Sequence, residues 1–152
     1  MTDREFVEAF EACSIASTDF HHADHVRLAW IYLRECTLIE AIERFTTSLQ
    51  RFAAHHGIAG LYHETITWAH LLLIHERLQR DGTAKDWGTF REANDDLFAR
   101  KPSILERYYA PETLKSEAAR RTFVLPDAGL SKPVMNRAAK KLRRRNHGAV
   151  TE

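Results

Sequence analysis

The spacing of apolar residues along this chain is the feature that most restricts its fold. Apolar side chains recur every three or four residues over several long segments, as in Ile42, Phe45 and Leu49. That spacing places them on one face of an α-helix, whereas a half-buried strand needs alternation at every second residue, which no segment sustains. The pattern predicts an all-α, single-domain bundle of about five to seven helices.

Local signals indicate where the helices begin and end. Thr2 with Glu5, and Thr37 with Glu40, form capping boxes in which each side chain can accept a hydrogen bond from the other residue's backbone N–H. A glycine just past an apolar pattern favours a helix end, and a proline suits a first helical turn. Helices are predicted from Thr2, from His22 to about Glu35, from Thr37 to Gly57, from about Leu61 to Arg80, from Asp86 through Leu97, and in two short pieces that open at Pro102 and Pro111, the second reaching about Arg121.

The charge distribution divides the chain into a helical body, residues 1–131, and a basic arm, residues 132–152. The arm has seven Lys and Arg against one Glu, while the body has 15 Lys and Arg against 20 Asp and Glu. The stretch 122–134 contains proline and glycine and is predicted to be an extended connector to a basic C-terminal helix or tail. The arm has no aromatic residue for stacking on bases, and the body is acidic, which disfavours a nucleic-acid partner.

Several features favour a cytoplasmic protein with no membrane partner. The first residues carry acids in a helical pattern, unlike the basic and apolar regions of a secretion signal. The longest apolar stretch, around Ile66 to Ile74, is interrupted by His70 and is far shorter than the roughly twenty residues of a membrane span. Cys13 and Cys36 are interpreted as reduced thiols. The sequence does not determine the oligomeric state, and a homo-oligomer is possible.

Two clusters among the nine histidines carry the functional prediction. His22 and His25 belong to an H-H-x-x-H motif at the start of the second helix, and His63 and His70 lie two turns apart at the fourth. Residues three or four apart share a helix face, so His22 and His25 should project together. Helices two and four are candidates to meet inside the bundle, where such sites are usually built.

This arrangement predicts a mononuclear metal site in which His22, His25 and His63 bind a divalent transition metal, with zinc or iron the favoured ions. Three protein ligands leave a coordination position open, at which a metal can activate water or bind a substrate. The chain is therefore interpreted as a metal-binding helical protein that acts on a small-molecule substrate as an enzyme. The sequence does not distinguish a hydrolase, a lyase and an oxidoreductase.

Other residues are assigned supporting roles around this site. Glu64 and His70 are the candidate catalytic groups. Thr67, which lies between the two histidines of helix four, is a candidate substrate-binding residue. Arg120 and Arg121 are further candidates, because a guanidinium can hold a carboxylate or a phosphate in a two-pronged contact.

Two alternatives remain open at this point. A metal-free enzyme could use histidine as a general acid or base, for example His25 beside Asp24, or His63 beside Glu64. A non-catalytic binding or adaptor protein would instead use its histidines structurally and make partner contacts through the basic arm. A pocket between helices two and four would argue against the adaptor interpretation.

Overall fold

A computed structural model describes residues 1–81 and 86–130, and every regular element in these ranges is helical. Four short 3₁₀ turns connect the helices, at Ser17–Asp19, Ala59–Leu61, Asp95–Leu97 and Ile104–Arg107. The α-helices are α1 (Asp3–Glu11), α2 (His22–Glu35), α3 (Leu38–His55), α4 (Glu64–Asp81), α5 (Trp87–Ala93), α6 (Pro111–Lys115) and α7 (Glu117–Arg121). The prediction of an all-α bundle is confirmed. The basic arm lies outside the described residues.

Helices α1, α3 and α5 begin directly after their predicted capping residues. The Thr2 and Thr37 hydroxyls accept hydrogen bonds from the N–H groups of Glu5 and Glu40, whose carboxylates accept in return from the threonine N–H groups. Asp86 caps α5, as its position ahead of an apolar pattern predicts. These caps satisfy backbone donors that the first turn of a helix leaves without partners.

Four predicted boundaries differ from the structure. Helix α5 ends at Ala93, before the predicted end at Leu97, which belongs to a 3₁₀ turn. Helix α4 begins at Glu64 because the residues up to Leu61 form a 3₁₀ turn. The helix predicted from Pro111 is broken at Ser116, whose hydroxyl accepts from the N–H of the α7 residue Ala119 and so starts a new helix. Pro102 opens no α-helix and instead precedes a 3₁₀ turn.

Helix α2 forms the centre of the bundle. Five consecutive residues of this helix, from Leu28 to Tyr32, are buried, so the helix is covered on all sides instead of along one stripe. It packs against both α3 and α4. Because α2 is central, the histidines at its first turn lie between the other two long helices.

A hydrogen-bonded network joins α1, α2 and α3 at the far end of α2. The buried Tyr32 hydroxyl donates to Glu11 Oε1 at 2.7 Å, and Arg44 Nε donates to the same oxygen at 2.8 Å. The Arg44 guanidinium also lies over the Tyr32 ring, 4.2 Å from its centroid. Burial alone would raise the pKa of the Glu11 carboxyl, but the hydrogen bonds from Tyr32 and Arg44 outweigh it and hold that pKa below its usual range.

The connector that follows α7 is fixed to the body through α4 and the segment before α6. The buried Thr65 hydroxyl donates to the Thr122 carbonyl and accepts from the Val124 N–H. The Tyr109 hydroxyl donates to the Val124 carbonyl, and the Asp127 carboxylate accepts from the Ala110 N–H. The predicted connector is therefore irregular up to residue 130, but it is held by specific hydrogen bonds. No helix in the described ranges has the length and apolar character needed to cross a membrane.

The Glu11 network generates a prediction about pH. Glu11→Gln should lower the free energy of unfolding at pH 7 by about 1–2 kcal/mol, because charged hydrogen bonds become neutral ones. The folded pKa of Glu11 lies below the unfolded value of about 4.3, so this stabilisation is complete above that value and is lost as the pH falls through the folded pKa. Urea unfolding between pH 3 and pH 7 should show the difference between variant and wild type shrinking toward acid.

Glu8→Gln is the matched control for this experiment, because Glu8 lies on the same helix in an exposed pair with Arg4. Exposed pairs contribute little, so this variant should unfold like the wild type throughout. Equal stability of the Glu11 and Glu8 variants at pH 7 would contradict the role assigned to the network.

Candidate functional site

A cavity of about 430 Å³ lies between α2, α3 and α4. The aliphatic part of its wall comes from residues of all three helices and from the turn before α4. The aromatic part centres on Phe20, whose ring lies 4.4 Å from the His25 ring and 5.1 Å from the Phe52 ring, centroid to centroid. The lining residues are Ser17, Phe20, His22, His25, Val26, Ala29, Phe45, Leu49, Phe52, Ala53, Ile58, Leu61, Tyr62, His63, Ile66, Thr67, His70, Leu71 and Ile74.

The histidine clusters of α2 and α4 meet at this cavity, as the sequence predicts. His22, His25, His63 and His70 all line it. The rings of His22 and His70 are in edge contact, with their centroids 5.3 Å apart. The packing of α2 against α4 is what brings these residues together from positions 38 to 48 apart in the sequence.

His63 has a structural role that uses both of its ring nitrogens. It immediately precedes α4, and its Nδ1 accepts a hydrogen bond from the Ile66 N–H at 3.1 Å. This contact caps the helix. Its Nε2 lies 2.8 Å from the Leu114 carbonyl oxygen, which can only accept, so Nε2 carries the proton and donates. No lone pair of the ring is left to coordinate a metal.

The predicted mononuclear metal site is therefore wrong for the part of the chain that the structure describes. Within residues 1–81 and 86–130, no three or more His, Cys, Asp or Glu side chains are grouped so that they could hold a metal ion. His63 is committed to the α4 cap, and His22 Nε2 is 2.9 Å from the Leu97 carbonyl oxygen. The spacing of His22 and His25 predicts their common location correctly, but their contacts are not those of a coordination shell.

Two further imidazoles have a tautomer fixed by a backbone carbonyl. His22 Nε2 donates to the Leu97 carbonyl, and His70 Nδ1 donates to the Ile66 carbonyl at 2.9 Å. In the neutral ring the other nitrogen then carries a lone pair and no proton, namely Nδ1 of His22 and Nε2 of His70. The Nε2 atom of His70 is buried without a hydrogen-bond partner among the described residues.

Burial keeps two of the cavity's histidines, His25 and His70, uncharged near neutral pH. Burial, assisted by the neighbouring His22 and His70, lowers the pKa of His25 to about 4. Burial likewise lowers the pKa of His70 to about 4, and the hydrogen bond to the Ile66 carbonyl, which favours the protonated ring, offsets only part of that effect. At these two positions the wall therefore presents neutral imidazoles.

The other candidate residues are distributed on and off the cavity wall. Thr67 lines the cavity, and its hydroxyl donates to the His63 carbonyl at 2.7 Å. Glu64 is the first residue of α4 and is not among the lining residues. Arg120 and Arg121 lie on α7, where both pair with Glu117, and they are not on the wall either.

Sequence reasoning missed the aromatic part of the wall. Phe20, Phe45 and Phe52 recur at positions typical of core residues, and their spacing alone does not distinguish a core face from a cavity wall. The one available signal is the position of Phe20 directly before the histidine motif, which places an aromatic ring beside His25.

The role of His63 can be tested by unfolding measurements on two variants. His63→Ala should lower the free energy of unfolding by about 1–3 kcal/mol, because it removes the cap and leaves the Ile66 N–H and the Leu114 carbonyl without their partner. His63→Asn should recover part of that loss, since asparagine is a good N-cap residue. His55→Ala, at an exposed position in α3, is the control. A His63→Ala protein as stable as the control would contradict the capping role.

Comparisons with known proteins assign no family to this chain. No protein-family model, curated protein or solved structure matches it. The functional argument therefore depends on the geometry and chemistry of the cavity.

Proposed function

We propose that this chain binds a small, uncharged and largely apolar molecule in the cavity between α2, α3 and α4. The observation that carries the proposal is the cavity itself, about 430 Å³ in volume, with a mostly apolar wall and a few convergent polar groups. That combination of size and lining is typical of ligand sites, which span about 300–1,000 Å³.

The size of the cavity argues against an ordinary packing defect. Protein interiors are packed as densely as organic crystals and contain few voids larger than a water molecule. An empty apolar space loses dispersion contacts along its whole wall, which makes it costly to maintain. A ligand that fills the space would restore those contacts and stabilise the fold.

The lining chemistry supports an uncharged ligand. None of the described lining residues is Asp, Glu, Lys or Arg. A charged molecule would lose its hydration without gaining a counter-ion, and this cost is large in an apolar site. Because the pKa values of His25 and His70 are near 4, their imidazoles supply no positive charge at pH 7.

The same pKa values favour binding over acid–base catalysis. A general base is most effective when its pKa lies near the working pH. A pKa of about 4 places His25 and His70 well below that range, so they are weak bases at pH 7. The described lining also contains no carboxylate or thiol that could serve as a second catalytic group.

The neutral fluorescent probe N-phenyl-1-naphthylamine tests the proposal. Its emission should rise in a saturable titration with one probe per chain, because the probe leaves water for an apolar site. Ala53→Phe places a ring in the cavity, since Ala53 is a buried lining residue of α3. This variant should bind about tenfold more weakly or worse, which corresponds to at least about 1.4 kcal/mol.

Ala54→Phe is the matched control, because Ala54 is the next residue of the same helix and is exposed. Far-UV circular dichroism verifies that each variant is folded. If Ala53→Phe does not fold, Ala29→Leu offers a second way to reduce the volume of the cavity. Equal affinity in the wild type, the cavity variants and the control, or an emission rise that never saturates, would refute the proposal.

A further inference from the structure

Building on the proposed function, we infer that the ligand is a neutral aromatic molecule with an N–H or O–H group that donates a hydrogen bond to Nε2 of His70. The inference depends on three features of the cavity: the fixed tautomers of two histidines, a buried acceptor without a partner, and an aromatic wall. Each points to the same ligand chemistry.

The backbone decides which imidazole nitrogens are acceptors. A carbonyl oxygen cannot donate, so the Leu97 and Ile66 carbonyls force a proton onto Nε2 of His22 and Nδ1 of His70. The opposite nitrogen of the neutral His70 ring, Nε2, then offers only a lone pair. The rings of His22 and His70 lie in edge contact, with their centroids 5.3 Å apart.

Nε2 of His70 is the acceptor with the strongest need for a donor. It is buried and has no hydrogen-bond partner among the described residues. A buried polar atom in this state is destabilising, because it has lost its bond to water and gained nothing in exchange. A ligand donor that reaches Nε2 would gain a hydrogen bond at a site that is already desolvated.

None of three nearby donors of the wall is bonded to Nε2 of His70, and two of them are engaged elsewhere. The Thr67 hydroxyl donates to the His63 carbonyl, and His63 Nε2 donates to the Leu114 carbonyl. The Tyr62 hydroxyl is buried and forms no hydrogen bond among the described residues, with His70 or with any other group. Burial raises the pKa of Tyr62 to about 12, so it remains protonated. None of these groups supplies a proton to His70.

The aromatic wall favours a flat ligand. The Phe20 ring lies within 5.1 Å of the Phe52 ring and 4.4 Å of the His25 ring. Aromatic rings prefer offset-stacked or edge-to-face neighbours at such separations, so an aromatic ligand gains contacts beyond the area that it buries. Two fused rings fit a cavity of about 430 Å³.

Three uncharged probes of nearly equal shape separate the donor from the apolar surface. 2-Naphthol has an O–H donor, 2-methoxynaphthalene keeps the oxygen but cannot donate, and 2-methylnaphthalene has neither. Isothermal titration at pH 7 should show 2-naphthol binding about tenfold more tightly than the other two, the preference expected of one buried hydrogen bond. An apolar site without an available acceptor would instead prefer the methyl compound, which leaves water more readily.

Variants then assign the acceptor. His70→Phe keeps a ring at the wall and removes Nε2, so the preference for 2-naphthol should fall to near onefold. His55→Phe is the matched control, because it makes the same substitution at an exposed histidine that does not line the cavity, so the preference for 2-naphthol should persist. If His70→Phe does not fold, ¹⁵N spectra of histidine-labelled wild type provide the same information, since the His70 Nε2 resonance should shift on 2-naphthol addition and not on addition of 2-methylnaphthalene.

The outcomes distinguish this inference from the proposed function. Binding of all three probes with no preference for 2-naphthol would overturn the donor inference and leave the binding function standing. A preference that persists in His70→Phe would show that His70 is not the acceptor. Failure of every probe to bind would overturn both.

Discussion

The burial of the middle of α2, from Leu28 to Tyr32, is the constraint on which the rest of the structure depends. A helix that is covered on every side needs neighbours on every side, and α3 and α4 supply the two long ones. Its far end is held by the Glu11, Tyr32 and Arg44 network, and its first turn carries two imidazoles into the interior. The cavity lies beside this first turn, between α2, α3 and α4.

Much of the fold could be predicted from the sequence because its signals are local. Apolar periodicity determines where helices form, and each of the capping boxes at Thr2 and Thr37 lies within a stretch of four residues. The breaks are less predictable. A serine such as Ser116 can either continue a helix or cap the next one. Which of the two occurs depends on whether a change of chain direction gives better tertiary packing.

The site was predictable in position but not in chemistry. Spacing on one helix face predicts that His22 and His25 lie together, and the pairing of α2 with α4 adds His70. Ligand chemistry depends on which nitrogens are already engaged. That information comes from the Leu97 and Leu114 carbonyls, which are 75 and 51 residues away from the histidines they bind and carry no side-chain signature. A cavity is equally hard to predict from the sequence, because it depends on how side chains from several helices together fill the space between them.

The first turn of α4 has a consequence for how the molecule unfolds locally. The same few residues cap the helix and form part of the cavity wall through His63 and Thr67. They also hold the segment from α6 to the connector, through the bonds from His63 to Leu114 and from Thr65 to Thr122. The cavity and the segment from α6 to the connector therefore belong to one cooperative unit of local unfolding. Occupancy of the cavity and protection of the connector's amide protons from exchange with solvent become linked quantities, so that either one reports on the other.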